Sequence, residues 1–196
     1  MTKTSTDAKA ATARERLLSA ANELFYAEGV QSVGIDRIIE RAGVAKASLY
    51  NTFGGKDQLI RAYLDSRHTR LTERLLRAVD GAGTPRDRLL AVFDAQAELF
   101  TEQDYRGCAF IAASAEAKHG STIEEVSDVS RAWVRALFTE LARDAGAPDP
   151  EALARRLRLL YDGGVVSARM DRDPSVGAVA REAAAVLIDA ALPAGS

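Results

Sequence analysis

Cysteine and histidine are nearly absent from this chain of 196 residues: one Cys, at position 108, and two His, at 68 and 119. A single cysteine excludes an internal disulfide, and three such residues spread along the sequence give no cluster at metal-ligand spacing. No metal and no cofactor is expected. Long apolar runs are missing as well, with nothing near the roughly 18–20 residues needed to span a bilayer. The opening "MTKTSTDAKAATARERL" lacks the apolar stretch of a secretion signal, so no membrane partner and a cytoplasmic location are expected. Charge of one sign is scarce too: the net charge is only -2, with 47% hydrophobic residues, the balance of a globular chain with a real core.

The small net charge conceals an asymmetry. Residues 1 to 70 carry 11 Lys and Arg against 8 Asp and Glu, whereas the remaining 126 residues carry 15 against 20. The two parts should meet different partners.

Ala, Leu, Arg and Glu dominate, and alternating β-branched runs are lacking, so the expected class is all-α. The helix signals divide the chain into about nine helices. Thr12-Ala13-Arg14-Glu15 has the form of a capping box, and Leu17, Leu18, Ala21, Leu24 and Phe25 share a face before Gly29 stops the helix. A short second helix runs through Ile35, Ile38, Ile39 and Ala42 to Gly43. A third lies in "GVAKASLYNTFGGKDQL", and Lys56-Asp57 open a long fourth helix through Val79. Thr84-Pro85, Asp149-Pro150 and Asp173-Pro174 each set a capping residue before a proline and predict helix starts near 85, 150 and 174. Gly107 precedes a segment expected to reach about 119, and Ser121-Thr122-Ile123-Glu124 predicts a second capping box for a helix to about 145. The expected division is a flexible tail over 1–11, a part of three helices over 12–56 and a larger helical part over 57–192.

Two eight-residue helices around a Gly43 turn have the lengths of a helix-turn-helix, in which the second helix enters the major groove. Val44, Leu49 and Phe53 would then point inward and leave Lys46, Ala47, Ser48, Asn51 and Thr52 outward. The spacing alone also suits a plain helical hairpin with Tyr50 and Phe53 in its core. No nucleophile-base-orienter set is visible, and "GGK" lacks the longer glycine loop and the following Ser or Thr of a phosphate-binding loop, so an enzyme is not expected.

Residues 17 to 60, "LLSAANELFYAEGVQSVGIDRIIERAGVAKASLYNTFGGKDQLI", resemble the DNA-binding domain of the tetracycline-repressor (TetR) family of transcriptional regulators. The resemblance rests on Phe25 with Gly29, on Ile38 and Ile39 with Gly43-Val44, and on Leu49-Tyr50, Phe53, Lys56 and Leu59. It implies that Ser48 and Tyr50 touch DNA, the tyrosine through its hydroxyl to phosphate, and that Lys56 binds the backbone. Lys46, Ala47, Asn51 and Thr52 match the variable positions that read bases, and Arg37 is a candidate phosphate contact or a solvated surface arginine. Many family members carry Ser or Thr where this chain has Gly34, so that side-chain contact to phosphate is lost here.

The resemblance also implies a ligand-responsive regulator, expected to be a repressor, that binds palindromic double-stranded operator DNA as a homodimer and is released by a small-molecule effector. Candidate pocket residues are Phe93, Gln96, Phe100, Cys108, Phe110, Trp133, Phe138 and Tyr161, with Met170 and His119 beside them; all are equally compatible with plain core. Apolar residues at helical spacing on the last two helices, Leu153, Leu157 and Leu160 on one and Val179, Ala183, Val186 and Leu187 on the other, are the expected dimer interface, unless they pack within one chain. Cys108 is a small hydrophobe or, if exposed and acidic, a redox sensor.

Overall fold

The computed structural model describes residues 11–193, so the expected tail, apart from Ala11, lies outside the described residues. Among the described residues there are nine helices: α1 (Ala13–Glu28), α2 (Ile35–Ala42), α3 (Lys46–Phe53), α4 (Lys56–Asp80), α5 (Pro85–Phe100), α6 (Ala109–Ala115), α7 (Thr122–Asp144), α8 (Pro150–Asp171) and α9 (Val176–Ala191).

The start signals act as their chemistry requires in most places. Thr12 accepts from the Glu15 amide, and Glu15 returns to the Thr12 amide at 2.7 Å, so two otherwise orphaned donors are satisfied. Thr84 and Asp87 make the same reciprocal box at α5 behind Pro85. Asp149 accepts from the Ala152 amide at 2.8 Å and starts α8 at Pro150.

Three expectations shift. The third proline signal does not open its helix directly: Asp173 turns onto the Ser175 amide and hydroxyl, both at 2.8 Å, and this local turn delays α9 to Val176. The box at Ser121 is not closed, because Ser121 makes no capping bond and Glu124 instead accepts from the Gly120 amide at 2.6 Å. Helix α6 ends at Ala115, where the Glu116 and Ala117 amides tighten onto the Ala113 and Ser114 carbonyls, rather than near 119.

The chain divides into two compact units between Tyr63 and Leu64. In the first, α1, α2 and α3 pack pairwise, and Leu17, Phe25, Ile38 and Leu49 form the centre. Residues 57–63, which the sequence reading assigns to the larger part, join this unit because Tyr63 sets its ring edge-on to Phe25 at 5.5 Å.

In the second unit α5, α7, α8 and α9 enclose a core that includes Leu89, Phe93, Phe138, Leu153, Leu157, Ala184 and Ile188. Each large apolar side chain in it is worth about 1.5–3 kcal/mol by removal from water. Helices α5 and α9 approach closely at Gly177, where a Cβ would stand 2.6 Å from Ala97 Cβ and 2.7 Å from its Cα. Only glycine fits that crossing.

Candidate nucleic-acid interface and the helical core

The turn between α2 and α3 is built by Gly43, whose left-handed φ of 61° bends the chain while the Gly43 and Val44 amides return to the Glu40 and Ile39 carbonyls. Arg16 donates to the Gly43 carbonyl at 3.2 Å and ties the turn to α1. Helix α3 is then anchored by Leu49 and Phe53, both buried, with Arg14 lying over the Phe53 ring. The opposite face is open: Lys46, Ala47, Tyr50, Asn51 and Thr52 are exposed, Tyr50 at 47%, while Ser48 and Val44 are half-buried. Tyr50 is therefore no core aromatic. Six of the eight sequence-predicted DNA residues lie on this short helix and share one open surface except Ser48, which is turned partly inward.

The cations around this face already have partners. Arg37 on α2 makes a bidentate pair with Glu28 of α1, at 2.6 and 2.8 Å, and the pairing holds the Glu28 carboxyl below its ordinary value. Arg41 grips Glu23 in the same two-pronged way. These forks fasten α2 to α1. Lys46 sits 2.9 Å from Asp36, and that hydrogen bond raises the ammonium pKa. Lys56 is half-buried and donates to the Gln31 carbonyl at 3.1 Å, which pins the start of α4 to the turn before α2. Gly34 caps α2 without a side-chain bond, and nothing lies within 4 Å of the place a Cβ would take.

In the second unit, four of the eight pocket candidates come together. The rings of Phe93, Phe138 and Tyr161 pack mutually, with centroids 5.8–6.1 Å apart. Gln96, one turn beyond Phe93, is 1% exposed and donates through Nε2 to the Tyr161 carbonyl at 2.8 Å. Because a carbonyl must face the amide nitrogen, the side chain cannot be flipped, and its Oε1 is left without a donor. Burial pushes the Tyr161 hydroxyl pKa up.

Of the other four, Phe100 belongs to the same apolar core and Trp133 and Cys108 pack against it without joining the ring cluster, while Phe110 is not part of it. Phe100 leans on Tyr105 at 5.1 Å, Trp133 meets His68 edge-on at 5.9 Å, Phe110 is buried on α6, and Cys108 stands directly before α6 without a side-chain capping bond. Burial raises the Cys108 thiol pKa, which removes the acidity a redox sensor needs. Two further candidates are corrected: Met170 is exposed at the surface of α8, and His119 is fully exposed beside Glu124.

The dimer candidates are also revised. Leu153 and Leu157 are buried in their own chain, at 1% and 0% exposure, and cannot meet a partner. Leu160 and Leu187 pack against the same core, and Ala183 is half-buried. Val179 and Val186 do face outward on α9. On α8 the outward stripe is Leu159, Gly163, Val166 and Met170, none of which the sequence reading placed among the dimer residues; Met170 was expected at the pocket. Their spacing of four, three and four was the available signal, but the buried stripe two positions away, Leu157, Tyr161, Gly164 and Ala168, has the same period.

Among the described residues no group of three or more His, Cys, Asp or Glu could hold a metal ion, and no helix is long and apolar enough to cross a membrane.

Comparison with known proteins agrees with this architecture. The family model described as bacterial regulatory proteins, tetR family, matches residues 17–63. The crystal structure of SCO4454, a TetR-family transcriptional regulator from Streptomyces coelicolor, is similar with a TM-score of 0.88 and 33% identity over 92% of this chain and 96% of that one. A TetR-type regulator of Streptomyces avermitilis, sav143, superposes with a TM-score of 0.82 and 34% identity, covering 92% of this chain and 98% of that one. The transcriptional activator FasR of Mycolicibacterium smegmatis is 32% identical over 150 residues; the match takes in 76% of this chain and 66% of that protein's length.

Proposed function

We propose, from the premise that this chain belongs to the TetR family of bacterial transcriptional regulators, that it represses its target genes as a homodimer on a palindromic operator and lets go when a small molecule enters the second unit. The observation that carries the reading is the polarity of α3, with Leu49 and Phe53 sealed inward and Lys46, Ala47, Tyr50, Asn51 and Thr52 turned outward. A helix anchored in this way can enter a major groove without unfolding its own domain. Asn51 suits adenine, which offers an acceptor and a donor on one edge; Ala47 and Thr52 suit a thymine methyl; Lys46 suits the two acceptors of guanine. Tyr50, Ser48 and Lys56 are assigned to the phosphates, together with Arg37 through the donors its two-bond Glu28 fork does not use.

Dimerisation is assigned to the outward stripes of α8 and α9. A twofold pairing would bury Leu159, Val166, Met170, Val179 and Val186, which single chains otherwise expose to water. Two copies of α3 would then read half-sites about 34 Å apart.

The effector is assigned to the Phe93–Gln96–Phe138–Tyr161 cluster, where the unpaired Gln96 Oε1 supplies a polar anchor among aromatic walls. Helix α4 begins in the first unit and continues into the second, so a shift of this helix is the route by which binding reaches α3. Release requires the effector to prefer the DNA-free state, since equal affinity for both states moves nothing.

The test is selection of genomic fragments by the purified protein at physiological salt, then footprinting and transcription in vitro. A palindromic footprint with lowered transcription is the expected outcome. Raised transcription from the same site would replace repression by activation, and no enriched fragment would refute operator binding by the free protein.

A further inference from the structure

Among the three carboxylate–cation pairs around α2, that of Asp36 and Lys46 differs from the other two. The pairs of Glu23 with Arg41 and Glu28 with Arg37 are two-pronged and join α1 to α2, where they act as scaffold. Asp36 and Lys46 instead join the first turn of α2 to the first turn of α3, through one bond of 2.9 Å, and both side chains remain well exposed. Lys46 stands on the outward face of α3, and Asp36 brings a negative charge beside it. A DNA-binding surface gains nothing in raw affinity from a carboxylate next to its cation, because phosphates are repelled.

Discrimination is another matter. A lysine ammonium carries three donors and only one is spent on Asp36. The other two can reach guanine O6 and N7, which belong to a neutral base, without leaving the carboxylate. A phosphate drawn to the same ammonium would be an anion brought up against an anion. The tether therefore taxes contacts with the backbone and spares contacts with a guanine edge.

We propose that Asp36 is a specificity-determining residue, which positions Lys46 for a guanine in the operator and suppresses its use as a non-specific phosphate contact. This rests on α3 being the base-reading helix. A carboxylate in the first turn of α2 also favours that helix through its dipole, so a stability effect alone does not distinguish the roles.

The experiment measures affinity of the full chain, wild type and Asp36→Asn, for the selected operator and for random-sequence duplex over a range of salt. Asp36→Asn should tighten binding to random duplex by about three- to tenfold near 0.1 M salt and steepen its salt dependence. Operator affinity should change less than about twofold, so the ratio of the two falls at least about threefold. Asp36→Glu keeps the charge and should keep the ratio. An unchanged ratio, whether both affinities rise together or neither moves, overturns the proposal, as does equal loss on both duplexes.

If Asp36→Asn fails to fold, operators carrying 7-deazaguanine at each guanine in turn decide the matter with wild-type protein. Loss of N7 at one guanine per half-site should weaken binding about five- to tenfold, and no effect at any guanine overturns the assignment. A wild-type protein that selects no operator at all would instead refute the regulatory reading beneath it.

Discussion

Gly163 and Gly164 are neighbours in the middle of α8, and replacing each by alanine should produce opposite kinds of damage. Either change raises intrinsic helix propensity by about 1 kcal/mol. At Gly164 the new Cβ would stand 3.1 Å from the unpaired Oε1 of Gln96 and 3.5 Å from Ala180 Cβ. The Gln96 amide has to move, which strains its 2.8 Å bond to the Tyr161 carbonyl in a fully buried place, at a cost of about 1–3 kcal/mol. Gly164→Ala should therefore come out destabilised by up to about 2 kcal/mol, lowering Tm by a few degrees for a chain of this size, with dimerisation unchanged.

At Gly163 a Cβ meets nothing of its own chain within 4 Å, so a single chain should gain the whole propensity term. If Leu159, Gly163, Val166 and Met170 face a second copy, however, that methyl enters a packed interface once from each protomer. Overpacking of this kind costs about 1–3 kcal/mol per site, enough to offset the gain and weaken the dimer about tenfold or more. Sedimentation equilibrium gives the dimer dissociation constant, and thermal unfolding at several protein concentrations gives the stability. Gly163→Ala dimerising as tightly as wild type, with Tm raised by about 2–4 °C, would refute the placement of the α8 stripe in the interface.

Three other outcomes follow from the geometry. Tyr50→Phe and Lys56→Ala should weaken binding to all sequences alike, Lys56→Ala also flattening the salt dependence, whereas Asn51→Ala should alter sequence preference; equal scaling of every site by Asn51→Ala in a binding selection would remove its base-reading role. Gly177→Ala should destabilise the second unit by at least about 1–3 kcal/mol, because the clash is partly with Ala97 backbone and cannot be relieved by a rotamer; denaturant unfolding with a wild-type midpoint would contradict the close crossing of α5 and α9. Cys108 should alkylate slowly with iodoacetamide at neutral pH, since burial holds its pKa up and the thiolate fraction down, and the rate should climb only as pH rises past that of an ordinary thiol. A rate at pH 7 equal to that of free cysteine would show the thiol to be accessible and of ordinary acidity, against this reasoning.

The DNA-binding unit was legible in the sequence because its signals are local. Gly43 needs a left-handed backbone, Thr12 and Glu15 close a box three residues apart, and Leu49 with Phe53 must share a face at a spacing of four. Where a signal depended on a competing local bond it misled, as at Asp173, whose carboxylate satisfies Ser175 rather than opening α9 at once. What stayed hidden was the choice between two apolar stripes on one helix. Leu153 and Leu157 have the same period as Leu159, Val166 and Met170, and nothing within α8 says which stripe meets α5, α7 and α9. The answer lies in Gly164, which must face inward because Gln96 and Ala180 occupy the space of its missing side chain; Gly163 is thereby turned outward and carries Leu159, Val166 and Met170 with it. A helix apolar on two sides, with one glycine on each, keeps a second apolar surface after its own core is built, and that surface is the one assigned above to a second copy. The same residue that orients α8 also sits against the unpaired Oε1 of Gln96. The inward stripe and the proposed effector anchor are thus parts of one packing solution, and a molecule that draws on Gln96 would disturb α8 through the Tyr161 carbonyl that Gln96 holds.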